Sequence, residues 1–424
     1  MNLFEDLEYR GLVFGVTDEN IKNVLNNEKI SFYLGTDPTG DSLHVGHLLV
    51  FLLAKRLEKY GHKAVLLIGG ATGFIGDPKP GGEREFLTHE KIESNANALY
   101  KQVKNLFNCE MVNNYDWTSN ISYLDFLRDF GKLFNVAYMC NKDTVKSRLE
   151  SGISYTEFSY QLLQARDFYH LYVDKNVTLQ IGGQDQWGNI TSGLELIRKK
   201  CGSDVKCYGL TAPLVTKSDG TKFGKSESGS VWLDENKTSV YEFYQFWVNT
   251  PDTDVITRLK QFTFLTKEEI DKLEESFKNE PHLRLAQKAL AEEVTKLVHG
   301  EDKLKEALNV TEALFSGEIN KLTEKELEML SKGLDSINKE EINILDALIE
   351  LNLASSKREA KDFVSKGAVV LNGEKITDIN YIINKENAMF NKYAVLTASG
   401  CHTWSLPVIN TSYFCSHCLI VIAS

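Results

Sequence analysis

The sequence predicts an α/β protein: a doubly wound parallel-sheet domain first, a helical second domain after it, and a small α+β domain at the C-terminal end. Three observations carry this. Residues 31–35 (SFYLG), 64–68 (AVLLI) and 177–181 (VTLQI) are short apolar runs that each lead into a turn or glycine-rich loop. Strands that feed helices through such loops pair in parallel, and ligands then sit beyond their carboxyl ends, which makes the first domain Rossmann-like. After residue 231 the pattern changes to long Lys/Glu helices with Leu and Phe at three- and four-residue spacing.

The elements follow in order. The first strand runs into Asp37-Pro38-Thr39-Gly40-Asp41-Ser42, which supplies turn and N-cap residues, and residues 43–60 continue at helical period. The second strand enters GGATGFIGDP (69–78), and the third enters GGQDQWGN (182–189) before a helix through Lys200. We expect boundaries at 1–230 for the sheet domain, 231–313 for the helical domain, 314–341 for a Lys/Glu/Ser/Gly-rich linker and 342–396 for the small domain. In that last unit Asn372-Gly373 after residues 368–371 is a hairpin signal. Residues 393–424 contain no Asp, Glu, Lys or Arg, although a quarter of the chain is charged. This sharp composition break leaves 397–424 as an atypical uncharged tail, which we read as unrelated to the fold and as the product of a lost reading frame near residue 396.

Bulk properties narrow the function. At 424 residues and 47.9 kDa the chain exceeds what one hydrophobic core supports. Lys plus Arg number 48 against 59 Asp plus Glu, and the net charge of −11 argues against coating nucleic acid or anionic membrane by bulk charge. Seven scattered cysteines do not form a disulfide framework. No signal peptide opens the chain and no run of eighteen apolar residues occurs, so a cytoplasmic protein without a membrane partner is expected.

Two motifs carry chemistry. His44-Val45-Gly46-His47 lies on the first turn of a helix, so its imidazoles share one face beside the positive helix end, a place suited to phosphate. Gly46 lets a flat base or ribose approach the backbone. Alone, such a pair is more often structural. The second motif, residues 218–229 (SDGTKFGKSESG), sets Lys222 and Lys225 three apart on a glycine-studded loop able to close over a polyphosphate. It is not a P-loop: Gly220 and Gly224 enclose three residues where that motif needs four, and no strand leads directly in.

Together, HVGH and KFGKS resemble the two signatures of class I aminoacyl-tRNA synthetases. DPTGDSLHVGH, GGATGFIGDP, TEFSYQLLQARDF, LQIGGQDQWGNI and TKFGKSESG, in that order, resemble the bacterial-type tyrosyl-tRNA synthetases from about residue 1 to 396. The resemblance implies ATP as substrate with Mg²⁺ carried by it, no protein metal site, L-tyrosine and its tRNA as partners, and a homodimer. It places Thr39, His44 and His47 at the phosphates in the transition state and Lys222, Lys225 and Ser226 over the pyrophosphate. Asp37, Gly46, Gly183, Asp185, Gln186 and Lys225 would bind ATP or the adenylate. Tyr33 and Asp167 would meet the substrate phenol, and Asp77, Tyr160 and Gln164 the α-ammonium. Tyr160, Gln164 and Asp167 fall on one helix face, which on its own would read as the polar side of an amphipathic helix.

For RNA, the resemblance turns Lys142, Lys146 and Arg148, with Arg198, Lys199 and Lys200, toward the acceptor arm near Trp187. Residues 354–361 (ASSKREAK) and the following GAVVLNGEKI resemble a small RNA-binding domain, with Lys357, Arg358 and Lys361 as its phosphate contacts. The loop after Asp77 departs from the family pattern by one residue: its lysine falls at Lys79 between two prolines, while Arg84 still matches a phosphate-facing position. Cys401, His402, Cys415, His417 and Cys418 fit no common zinc spacing. Two alternatives remain in view. A tryptophanyl enzyme would leave Tyr33 and Asp167 facing an indole, and a non-catalytic RNA-binding scaffold would have no physical need for both phosphate motifs.

Overall fold

The protein is described from a computed structural model, which covers residues 1–424 except 79–81, 83, 85, 108, 150, 217–222, 227–228, 399–415 and 423–424. Side chains are also outside the description at 143–144, 225–226 and 416–422. The chain divides into two compact units, Met1–Asp234 with Thr250–Leu290, and Glu235–Asn249 with Ala291–Ser424.

The first unit is built on a six-stranded sheet of β1 (Gly15–Val16), β2 (Ser31–Thr36), β3 (Lys63–Ile68), β4 (Glu110–Asn113), β5 (Val177–Gly183) and β6 (Tyr208–Ala212), in the order β1-β6-β5-β2-β3-β4. All neighbours are parallel except the short edge strand β1. Residues 32–34 of β2 and 64–68 of β3 are continuously buried, as strands covered on both faces by helices must be. The order reverses between β2 and β5, so the crevice of a doubly wound sheet opens at their carboxyl ends. The helix Val45–Lys59 starts from β2 and buries Leu48, Leu49, Leu52, Leu53 and Leu57 at three- and four-residue spacing. The long helix Tyr155–Lys175 carries Phe168 and Leu171 into a cluster with Tyr33, Val65, Ile190 and Leu194. Two further short strands, β7 (Lys225–Ser226) and β8 (Gly229–Ser230), pair antiparallel.

The helix Val255–Phe262, expected within one helical domain at 231–313, belongs to the first unit, and its C-terminal end explains why. Arg10 donates to the carbonyls of Lys260 (3.0 Å), Thr263 (3.3 Å) and Leu265 (2.7 Å), and Arg56 donates to Thr263 O. Asp6 balances the two buried guanidinium groups, 2.8 Å from Arg10 and 3.8 Å from Arg56. Cations over unsatisfied helix carbonyls are favourable in charge and in hydrogen bonding. Burial, with Arg10 alongside, still pushes the Arg56 guanidinium down to about 9.

The second unit holds the helices Val240–Val248, Glu301–Ser316 and Glu324–Gly333, then the small domain. Its strands are β9 (Ser336–Lys339), β10 (Ile342–Asn343), β11 (Val369–Leu371), β12 (Glu374–Ile376), β13 (Ile382–Ile383), β14 (Tyr393–Ala398) and β15 (Ser416–Ile422), five of them in a sheet of order β12-β11-β14-β15-β9. The Asn372-Gly373 turn closes the β11–β12 hairpin, with both residues at positive φ. Residues 314–341, expected as a linker, are folded: Leu327 and Leu330 are buried in a cluster with Val310, Tyr393 and Val395. Part of the uncharged tail also joins the sheet, for β15 runs antiparallel to β14 from Ala398↔Ser416 to Tyr393↔Val421 and parallel to β9. β14 is buried on both faces, so its backbone groups need a partner on each edge, and the apolar residues 419–422 (LIVI) have the composition of a strand.

Removing Asp6 leaves two buried guanidinium groups facing each other. Asp6→Asn is expected to lower the free energy of unfolding of the first unit by about 3 kcal/mol, the usual scale for breaking a buried pair. The measurement is a urea titration in which the midpoint falls and the slope stays constant.

Candidate active site

The crevice between β2 and β5 contains a cavity of about 290 Å³. It gathers residues from six parts of the sequence: Tyr33, Asp37 and Thr39 at the end of β2, Gly46 and His47 on the following helix, Thr72, Asp77 and Arg84 after β3, Tyr160, Gln164 and Asp167 on Tyr155–Lys175, Gln180, Gly183, Asp185 and Gln186 at the end of β5, and residues 213–215 after β6. The helix spacing of Tyr160, Gln164 and Asp167 is what turns all three inward.

Three carboxyl groups line it, Asp167 buried and Asp37 and Asp77 half-buried, each held by neutral donors. Asp37 accepts from Thr72 Oγ1 at 2.7 Å and from the Tyr160 hydroxyl at 2.8 Å. Burial raises its pKa above the ordinary value, against the pull of these donors and of Arg84. Asp77 accepts from Gln186 Nε2 (2.8 Å) and Asn189 Nδ2 (3.1 Å), and burial pushes it up to about 7. Asp167 accepts from Asn114 Nδ2 and Trp117 Nε1, both at 2.8 Å, and burial pushes it too up to about 7. Neutral donors offset the desolvation of a carboxylate only in part.

Opposite these acceptors lie polar atoms that are buried and unpaired: the Tyr33 hydroxyl, Gln164 Oε1 and Gln180 Oε1. The Tyr33 ring packs on Phe168 at 5.3 Å, which fixes the direction of its hydroxyl. Tyr33 and Gln180 are register partners on β2 and β5, so their side chains leave the sheet on the same face. A buried, unpaired polar atom costs about 1–3 kcal/mol, and such atoms gathered around a cavity are what a polar ligand would satisfy.

The turn entering the first motif is pinned by Asn95, whose amide donates to Pro38 O at 3.0 Å. His44 caps the next helix and His47 is its third residue. Each imidazole accepts a backbone N–H through Nδ1, His44 from Gly46 N (3.0 Å) and His47 from His44 N (3.2 Å), and the rings stack at 3.9 Å. An Nδ1 that accepts leaves the proton on Nε2, so both rings are neutral N–H donors beside the helix terminus. Burial, with His44 and Arg84 adding to it, holds His47 down at about 3.

The second motif lies against the first. Leu43 O accepts from Leu233 N and Val45 N donates to Val231 O, so residues 231–233 run beside 43–45. Gly224, at φ +87°, leaves no room for a side chain: a Cβ there would sit 2.8 Å from Val45 Cγ2 and 3.2 Å from Gly46 N. Gly69 is required in the same way, since its Cβ would fall 2.0 Å from Asp37 Oδ1. Lys222 and Lys79 lie outside the described residues. Lys225 and Ser226 are placed by their backbone in β7, and their side chains are not described.

The basic residues divide between the units. In the first, Lys142 donates to Tyr138 OH and Thr191 Oγ1, both at 2.7 Å, and Lys199 donates to Leu133 O (2.6 Å) and pairs with Glu195 (2.5 Å), while Arg198 is exposed on the same helix as Lys199. Arg148 differs from its expected RNA-facing place: it is buried and ion-paired to Glu157 at 2.6 Å, a structural cation. In the second unit, Lys357, Arg358 and Lys361 are exposed on the helix Lys357–Ser365, with Lys357 paired to Asp346 at 2.8 Å.

Sequence reasoning did not find Thr72, Asn114, Trp117, Gln180 or Asn189. Thr72, Gln180 and Asn189 stood inside recognised motifs without a role. Asn114 and Trp117 follow β4, a half-buried strand without a motif, and reach Asp167 only through the fold.

A carboxyl raised by burial stabilises the folded state most when protonated. With a folded value of about 7 and an unfolded one near 3.9, Asp167 contributes stability below about pH 4 that is lost as pH rises to about 7. The stability of the ligand-free protein relative to Asp167→Asn is therefore expected to fall across that window and level off above it, as read by denaturant melts from pH 4 to 8.

Comparison with known proteins agrees with this geometry. Residues 25–316 match the family model of tRNA synthetases class I (W and Y), and residues 326–400 match the tyrosine-tRNA ligase SYY-like C-terminal domain. The chain is 56% identical over 336 residues to tyrosine-tRNA ligase 2 of Bacillus cereus, covering 77% of this chain and 80% of that one. It is 54% identical over 336 residues, with the same coverage, to the tyrosine-tRNA ligase of Listeria monocytogenes. A crystal structure of a C-terminally truncated mitochondrial tyrosyl-tRNA synthetase from Aspergillus nidulans superposes with a TM-score of 0.67 at 33% identity, over 74% of this chain and 94% of that one. This chain therefore belongs to the class I tRNA synthetases, in the family of bacterial-type tyrosine-tRNA ligases.

Proposed function

We propose that the crevice activates L-tyrosine with ATP, forming tyrosyl-adenylate and pyrophosphate, and that the tyrosyl group then passes to the terminal ribose of its tRNA. The observation that carries the amino-acid choice is the buried, unpaired Tyr33 hydroxyl in the same cavity as the Asp167 carboxylate. A phenol would donate to Asp167 and accept from Tyr33. Phenylalanine would leave both unpaired, and reading a substrate hydroxyl in this way is the established example of discrimination without editing, drawn from this same enzyme family. Asp77, Tyr160 and Gln164 would take the α-ammonium, whose charge favours the ionised form of Asp77.

The reaction needs alignment more than proton transfer. An amino-acid carboxylate is already ionised, so its oxygen attacks the α-phosphate without a general base, and pyrophosphate leaves carrying the negative charge. Thr39 and the Nε2–H donors of His44 and His47 would meet that charge. Being neutral, they add hydrogen bonds without demanding a proton balance. Lys222, Lys225 and Ser226 would close over the pyrophosphate, with Arg84 as a further cation on the cavity wall. Asp37, Gly46, Gly183, Asp185 and Gln186 would hold the ribose and the backbone around the adenylate. Mg²⁺ would enter bound to ATP as part of the substrate.

The tRNA would be held through Lys142, Arg198 and Lys199 in the first unit and Lys357, Arg358 and Lys361 in the second. No helix among the described residues is long and apolar enough to cross a membrane, and we place the reaction in the cytoplasm, where its tRNA is charged. We also propose a homodimer. Tyr123, Leu124, Val136 and Tyr155 are 61–75% exposed, and the helices Tyr115–Thr118 and Tyr123–Asp129 bury none of their residues. Exposed apolar side chains so concentrated suit an interface between copies.

Two measurements test these readings. Pyrophosphate exchange into ATP should proceed far faster with tyrosine than with phenylalanine or tryptophan, and Asp167→Ala should abolish it or erase the preference; exchange with none of the three would leave the RNA-binding scaffold. Leu124→Glu should convert a dimer to monomer in analytical ultracentrifugation, and a sedimentation profile identical to wild type would remove this face from the interface.

A further inference from the structure

We propose that Asn114 and Thr72 are positioning residues that set the hydrogen-bond polarity of the amino-acid cavity, Asn114 chiefly for the phenol end and Thr72 for the ammonium end. The inference rests on the assignment of Asp167 and Tyr160 to those two ends.

The argument starts from one backbone group. Ala71 N can only donate, and it donates to Asn114 Oδ1 at 2.7 Å. That fixes which way the Asn114 amide faces, so both N–H bonds point elsewhere: one to Asp167 Oδ2 at 2.8 Å, the other to Thr72 Oγ1 at 3.0 Å. Because Thr72 accepts there, its own proton goes to Asp37 Oδ1 at 2.7 Å. Asp37 Oδ2 in turn accepts from the Tyr160 hydroxyl at 2.8 Å. At the other end Asp167 Oδ1 accepts from the indole N–H of Trp117, which is donor only. Asn114 and Thr72 are both buried, at 0% and 3% exposure.

With Asp37 and Asp167 in their ionised forms every bond in the chain has one allowed direction, and two consequences follow. Asp167 faces the cavity only with acceptor lone pairs, so a hydroxyl there must donate to it and take its own bond from Tyr33. Tyr160 spends its proton on Asp37 and also faces the cavity as an acceptor, the polarity an ammonium requires. Neither residue needs to touch the substrate.

The test uses steady-state pyrophosphate exchange by the full-length protein, with tyrosine and phenylalanine as separate substrates. Asn114→Ala and the isosteric Asn114→Asp are each expected to lower the tyrosine-to-phenylalanine ratio of kcat/KM by about tenfold, the scale of one charge-assisted hydrogen bond, while KM for ATP stays within twofold. Thr72→Val is expected to lower kcat/KM for both amino acids alike by about tenfold. A loss of general structural support would move the ATP KM with the rest and leave the ratio where it was. An unchanged ratio in either Asn114 variant that melts at the wild-type temperature overturns the proposal, and should neither fold, an unchanged tyrosine kcat/KM in Thr72→Val overturns it. Asp167→Asn separates the two levels: if it leaves the ratio unchanged the assignment of the phenol end fails, and if it lowers the ratio while the Asn114 variants do not, only the present inference fails.

Discussion

The desolvation of three carboxyl groups in one crevice is the constraint on which the rest of the site depends. Asp37, Asp77 and Asp167 all lie where the sheet order reverses, and each is surrounded by hydrogen-bond donors that carry no charge. Among the described residues lining the cavity, Arg84 is the one guanidinium or ammonium group. Such a cavity is short of positive charge, and in the proposed reading the substrate ammonium would supply it, so that binding would also relieve the desolvation of these carboxyl groups.

That arrangement makes demands on the backbone nearby. Gly69 is glycine because the Asp37 carboxylate occupies the space of its side chain, and Gly224 because Val45 and the Gly46 amide occupy its own. Close approach of backbone segments also brings the two motifs together, through the hydrogen bonds between residues 43–45 and 231–233. The histidines hold their own helix start. By capping their own helix through Nδ1 they become neutral donors, and burial keeps His47 in that form throughout the physiological range.

Much of this was legible in the residues themselves. The apolar runs at 31–35, 64–68 and 177–181 became β2, β3 and β5, and the i, i+4, i+7 spacing of Tyr160, Gln164 and Asp167 set three cavity residues on one helix face. The motifs also led to the tyrosine-tRNA ligase family. Less visible were β4 and β6: the first is half-buried throughout, and the second is a five-residue run whose pattern does not distinguish strand from loop. Domain boundaries were hidden for a related reason. Helices in this stretch look alike along the sequence, and the carbonyls at 260–265 meeting Arg10 and Arg56 tie the segment Thr250–Leu290, with its helices Val255–Phe262 and Lys267–Asn279, to the first unit.

By itself the sequence determined the kind of fold, the reaction family and the polar side chains contributed by continuous motifs, because periodicity and local spacing are properties of neighbouring residues. The tertiary structure alone decided which groups hold those side chains in place. Asn114 and Trp117 stand 53 and 50 residues from Asp167, and Thr72 stands 35 from Asp37. Arg148, which the family resemblance turned toward the acceptor arm, is withdrawn into a buried pair with Glu157. Hydrogen bonds and desolvation act over a few ångströms of space and have no periodicity along the chain, so their partners could be known only once the chain had folded.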